Sequence, residues 1–179
     1  YPRLFFYIRN PQGELFMFID TVTVFIKSGK GGDGAVSFHR EKFVPRGGPD
    51  GGDGGDGGSV ILIGDPNMNN LAKFKHSPRF VADNGQPGMN KLQYGKKGKD
   101  LKVRVPCGTI LRNPETQEIL FEILAPGQKE YVAKGGKGGK GNYHFASSTN
   151  QTPRQFEKGR EGIQYKAILE LKMIADIGL

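Results

Sequence analysis

Asp50, Asp53 and Asp56 recur at every third position, and this run of carboxylates is the first feature whose chemistry has to be decided. Hard oxygen ligands of this kind suit calcium, which takes six to eight of them. The spacing argues against a shared ion. In an extended chain with about three residues per turn and a rise of roughly 3.1 Å per residue, the three carboxylates share one edge but stand about 9 Å apart. Solvated carboxylates, or partners for Lys and Arg of adjoining segments, are the expected role. His39, His76 and His144 lack ligand spacing and have no neighbouring cysteine, so no metal site is expected. Neither a Ser-His-Asp set nor a paired carboxylate can be assigned, which points away from catalytic residues in this chain.

Nucleotide chemistry is suggested by Gly29-Lys-Gly-Gly-Asp-Gly34-Ala-Val36, which spells both the dinucleotide fingerprint and the kinase glycine loop. The context fails. A dinucleotide site needs a helix N-terminus for the pyrophosphate, whereas Ala35 to Phe43 alternates as a strand would. For a kinase, Lys134 of Val132-Ala-Lys134 lies too far downstream, and neither a catalytic loop nor Asp-Phe-Gly is present. No Gly-x4-Gly-Lys-Ser/Thr loop exists to cradle a triphosphate.

Binding is the chemistry that the sequence does support. The formal net charge of +8 favours a polyanion, with nucleic acid ahead of a membrane because no basic amphipathic helix is evident. Cations cluster in three places. His39, Arg40, Lys42, Phe43 and Arg46 form the first; Lys91, Tyr94, Lys96, Lys97 and Lys99 the second. The third holds Lys137, Lys140, Asn142, Tyr143, His144, Phe145 and Arg154. Lys and Arg beside aromatic and amide groups suit RNA, since cations meet phosphates while rings stack on unpaired bases.

These residues must be positioned by glycine. Between Gly47 and Gly58 the repeat of Asp with two glycines matches polyproline II geometry and leaves two edges bare, at Gly48, Gly51, Gly52, Gly54, Gly55, Gly57 and Gly58. Such a chain is floppy alone, so neighbours must hold it. Gly29 to Gly34 and Gly135 to Gly141, with Gly135, Gly136, Gly138 and Gly139, supply them: three segments are expected to lie side by side and exchange backbone hydrogen bonds.

Strand patterns occur at Phe18 to Lys27, Ser59 to Ile63, Leu101 to Val105, Thr109 to Arg112, Glu118 to Leu124 and Lys129 to Ala133. Lys166 to Ile174 reads equally as helix or strand, and no helix is convincing. The fold class is therefore mainly β: a small antiparallel β-barrel or sandwich carrying a glycine-rich helical tongue. Three excursions leave it, Gly29 to Gly58, Arg79 to Lys99 and Lys134 to Gly162. If they leave from one end, their cations form one patch.

A single cysteine, Cys107, excludes an internal disulfide, suits a reducing cytoplasm and reads as a buried structural thiol. No apolar stretch approaches the length of a membrane span. Residues 1–16 share no pattern with the rest of the chain and read as an extension, and the apolar sequence from Ala167 to Leu179 reads as continuing into a longer protein.

Phe38-His-Arg-Glu-Lys-Phe-Val-Pro-Arg-Gly-Gly-Pro-Asp to Gly58, with Gly95-Lys-Lys-Gly-Lys-Asp100, Val105-Pro-Cys-Gly-Thr109, Gly138-Gly-Lys-Gly-Asn142 and Thr152-Pro-Arg154, closely resembles the N-terminal domain of the Obg family of bacterial-type GTPases. The resemblance runs from Met17 to Leu179. It implies a bundle of polyproline II helices on a β-barrel and a role in maturation of the large ribosomal subunit with the distal end on ribosomal RNA; a cytoplasmic monomer is the expectation. It also implies a domain at 17–174, with 175–179 leading toward a GTPase domain whose P-loop would hold GTP and magnesium. No residue of this chain inherits that site. The alternative, from another class, is a module that docks regulatory proteins through an exposed sheet face or edge.

Overall fold

A computed structural model describes residues 21–39 and 47–172, together with the backbone of 6–9 and 15–18. Strands β1 (Phe6–Arg9) and β2 (Leu15–Phe18) form an antiparallel hairpin of their own. Two further sheets share one core. The first is ordered β5-β3-β10-β7-β8, built from β3 (Thr21–Lys27), β5 (Arg79–Val81), β7 (Thr109–Arg112), β8 (Ile119–Ile123) and β10 (Gln164–Leu171). The second is ordered β6-β4-β9, from β4 (Val60–Asp65), β6 (Leu101–Pro106) and β9 (Lys129–Ala133).

Period-two patterning sets the inward faces. Val22, Val24 and Ile26 of β3 and Ala167, Leu169 and Leu171 of β10 are buried while their alternates turn outward. They meet Val60, Leu62, Val103, Val105, Leu111, Ile123 and Val132 in one apolar cluster. A short helix α1 (Ala72–His76) closes one side, its buried Phe74 edge-on to Phe80 of β5 at 5.3 Å between ring centroids.

Most sequence-predicted strands form within two residues of their expected bounds, and the ambiguous 166–174 run resolves as strand β10. Four features depart from expectation. Helix α1 and the three-residue β5 were not foreseen, and β3–β5 and β4–β6 pair in parallel, so the sheets are not purely antiparallel. Cys107 is half-buried on the turn after β6 rather than buried.

Six strands run on into the glycine-rich part. β3, β5 and β9 lead outward into segments 28–39, 82–90 and 134–142; segments 47–59, 93–100 and 153–163 return into β4, β6 and β10. The three excursions are thus three out-and-back pairs, and the bundle has six members where three were expected. Ser28 ties the bases together: its hydroxyl donates to the Lys134 carbonyl at 2.7 Å and accepts the Ile163 N–H at 2.8 Å.

Candidate nucleic-acid interface

Hydrogen bonds between bundle segments repeat every three residues. Gly29, Gly32 and Ala35 donate to the carbonyls of Gly58, Gly55 and Gly52, and Gly52, Gly55 and Gly58 donate onward to Met89, Gln86 and Asp83. Gly54 and Gly57 donate to Gly139 and Gly136, while Gly95 and Gly98 donate to Asp53 and Asp56. Each chain therefore turns once per three residues, the period of polyproline II, and bonds sideways because that geometry has no internal hydrogen bonds. Close approach demands glycine: a Cβ on Gly57 would stand 2.1 Å from the Gly29 carbonyl oxygen, and one on Gly138 would stand 1.9 Å from that of Gly54. The same holds for Gly51, Gly52, Gly55, Gly58, Gly135, Gly136 and Gly139. Gly48 is the exception, with nothing within 4 Å.

The aspartate edge does structural work. Asp56 accepts the Gly138 N–H at 2.9 Å, Asp53 that of Gly141 at 2.8 Å, and Asp33 that of Gly159 at 2.8 Å. These carboxylates extend the lateral lattice with side-chain acceptors where a carbonyl is out of register. Among the described residues, no group of three His, Cys, Asp or Glu could hold a metal ion.

The hydrogen-bond register fixes which residues are distal. Ala35, Asp50, Leu92, Asn142 and Glu157 bond at the end away from the sheets, whereas Gly29, Gly58, Asp83 and Gly136 bond near them. His39, Lys91, His144 and Arg154 are accordingly distal, and Lys140 lies close behind. Lys96, Lys97, Lys99 and Lys137 instead run back along the bundle's length toward the sheets, so the expected single patch is a distal group with two lateral rows. Arg40, Lys42, Phe43 and Arg46 lie outside the described residues.

One row is regular. In segment 134–142, Gly135, Gly138 and Gly141 face segment 47–59, and Gly136 and Gly139 face segment 153–163. The third edge carries Lys134, Lys137 and Lys140, all exposed and about 9 Å apart by polyproline II rise. The sequence clusters omitted Lys134, and the three-residue period identifies it. Among the described residues, none of these lysines has a carboxylate within ion-pair distance, nor do Lys91, Lys96, Lys97, Lys99 or Arg154. Lys30 differs: Glu161, hydrogen-bonded to it and 3.2 Å away, pushes its pKa up.

Asn142, expected among the RNA-contacting residues, has its side chain inside the bundle in this structure. It is fully buried, its Oδ1 accepting the Gly51 N–H at 2.9 Å and its Nδ2 donating to the carbonyls of Ser37 and Pro153. These hydrogen bonds hold the distal end together. His144 is exposed, and its Nε2 lies 2.9 Å from Asp53 Oδ2; His39 Nδ1 lies 3.9 Å from Asp50 Oδ2.

Sequence reasoning missed Asp50 as an organiser. It is 8% exposed; its carboxylate accepts from Ser37 Oγ and from the Lys91 N–H, and its carbonyl accepts the Leu92 N–H at 2.7 Å. Those bonds hold Lys91 at φ 54° and Leu92 at φ 57°, two adjacent non-glycine residues in the left-handed region. Such a conformation costs on the order of 1–3 kcal/mol per residue and is tolerated only where surroundings over-determine it. The turn is of type I′, closed by the Gln93 N–H to the Asn90 carbonyl at 3.2 Å.

The sequence profile of the GTP1/OBG family matches residues 19–173. A protein named GTPase Obg from Caldanaerobacter subterraneus subsp. tengcongensis is 53% identical over 163 residues, covering 91% of this chain and 38% of its own length. GTPase Obg of Aquifex aeolicus is 52% identical over 162 residues, covering 90% and 47% respectively. That of Pseudothermotoga lettingae is 54% identical over 162 residues, covering 90% and 37%. The chain thus spans less than half the length of the curated relatives it matches.

Proposed function

This chain belongs to the GTP1/OBG family, and on that premise we propose that it is the RNA-docking domain of a GTPase that acts on the large ribosomal subunit during its assembly in the cytoplasm. The observation that carries the reading is the set of exposed lysines without acidic partners among the described residues, lining a bundle in which Asp53 and Asp56 are occupied by backbone donors. Cations left unpaired on a rigid scaffold suit phosphates spread along an RNA surface. The lattice supports rigidity, since every member is bonded to at least two others. GTP, which the relatives' name brings in, and the magnesium that the family resemblance implies with it would bind through residues of a longer protein, because these 179 residues contain no phosphate-cradling Gly-x4-Gly-Lys-Ser/Thr sequence. In such a protein the bundle would carry RNA contacts away from the nucleotide and let GTP state govern when they are made.

Sedimentation with large ribosomal subunits across a salt series tests the reading. Changing Lys96, Lys97 and Lys99 together to Ala should weaken association and flatten its logarithmic salt slope by roughly 0.7–0.9 for each phosphate no longer neutralised. Removing as much charge from the sheets, at Lys102, Arg104 and Lys129, should weaken it less. Equal losses would mean a diffuse field rather than a docking surface. Association that ignores both salt and lysines would favour docking of a regulatory protein.

A further inference from the structure

The turn at 89–94 carries side chains that phosphate docking does not use. Tyr94 is 73% exposed, and Met89 and Leu92 are each 45% exposed, so three large apolar groups stand in solvent within six residues at the distal end. Nothing in the core explains them. The turn that presents them is not a slack loop: Asp50 locks it in the left-handed conformation of Lys91 and Leu92, and the Gly95 N–H bonds to the Asp53 carbonyl at 2.8 Å just beyond Tyr94. The backbone thus accepts strain to hold exposed apolar side chains in a fixed place. Lys91, Lys96 and Lys97 flank them, exposed and without carboxylate partners among the described residues, so an occupant of this surface has a flat apolar face and a negative charge close by.

We propose that the 89–94 turn docks an unpaired nucleobase of RNA, with Tyr94 as the stacking platform, Met89 and Leu92 as its apolar flank and the neighbouring lysines on the phosphates. This rests on the RNA reading above and adds base contact to it. A duplex hides its base faces, so the preferred ligand is single-stranded or has a base turned out. Stacking is tolerant of sequence because every base has a π-face. The site contributes affinity and local shape selection rather than a sequence code.

The chain contains no tryptophan, so Tyr94→Trp places a single fluorescent reporter at the site. The probes are a single-stranded RNA oligonucleotide and an abasic strand of the same length and charge. The base-bearing strand should quench the reporter and the abasic strand should not. In the otherwise unaltered chain, Tyr94→Ala should lower affinity for the base-bearing strand by about 5- to 150-fold, the equivalent of 1–3 kcal/mol per stacked base, and leave the abasic affinity unchanged. Equal quenching by both strands, or equal affinity losses, would overturn base docking while leaving phosphate docking intact. Failure of both strands to bind, together with loss of subunit association, would overturn both readings. Self-association abolished by Tyr94→Ala would assign the turn to a second copy of the chain and overturn the proposal.

Discussion

Gly54 and Gly32 approach so closely that a Cβ on Gly54 would stand 1.9 Å from the Gly32 carbonyl oxygen. The neighbour is backbone held by its own lateral bonds, so nothing can swing aside. Gly54→Val should destabilise the chain by about 3 kcal/mol or more, at the high end for point mutants. Gly48→Val, where nothing lies within 4 Å of the Cβ position, should stay within about 0.5 kcal/mol. Denaturant unfolding of the two variants checks this, and matching midpoints would show that the bundle is not packed.

Asp53 shows what the aspartate period is for. Its Oδ1 takes the N–H of Gly141, a residue buried between segments, at 2.8 Å. Removing the acceptor by Asp53→Ala leaves that donor unsatisfied, which costs about 1–3 kcal/mol. Asp53→Asn keeps a carbonyl oxygen in place and forfeits only the exposed pairing with His144, worth about 0–1 kcal/mol. Thermal melts should therefore rank wild type and Asn close together with Ala below. Two variants falling equally would assign the role to charge instead.

The glycine repeat disclosed the ladder because glycine at two positions of three has one economical geometry. Partners were harder to read. Segments 82–90 and 93–100 have two glycines each where the lattice needs them, Gly85 and Gly88 in one and Gly95 and Gly98 in the other, too sparse to announce a bundle member. The turn between them has Lys91-Leu92 where a type I′ turn ordinarily shows Asn-Gly, because Asp50, remote in sequence, supplies the restraint. β5 is legible only through tertiary pairing with β3, as three residues cannot show an alternation. Asn142 stood among cations and aromatics and read as a surface group; its burial depends on Gly51, Ser37 and Pro153, which no local pattern brings together.

Tyr165 makes the sheets sensitive to alkali. Its hydroxyl donates to the Val132 carbonyl at 2.7 Å, and burial pushes its pKa up from the ordinary 10 to about 12. The folded state thus holds the phenolic proton more tightly than the unfolded one. Stability from this group is complete below pH 10 and is lost as pH rises toward 12. Tyrosinate absorbance should show a step near pH 12 that Tyr165→Phe removes. The same substitution should make the melting temperature fall less steeply between pH 10 and 12. A final step that survives in the Phe variant would belong to another tyrosine.

Asn142 separates holding the distal end together from touching RNA. Its carboxamide bonds segments 28–39, 47–59 and the chain at Pro153 from a fully buried position, so Asn142→Ala orphans the Gly51 N–H and two carbonyls at once. The sheets lie at the other end of the bundle and share none of these bonds. Hydrogen exchange should accordingly quicken at Gly51, Ala35 and Gly52, while amides of β3 and β10 keep their protection, since stability is lost in local units. On the proposed RNA reading, subunit association should fall together with that local protection and should do so without changing the salt slope, because every exposed cation of the bundle is still in place. Osmolytes that favour the compact state should restore both in parallel. Weaker association with exchange unchanged at Gly51 would make Asn142 a contact residue after all and would require the buried side chain to turn outward on binding.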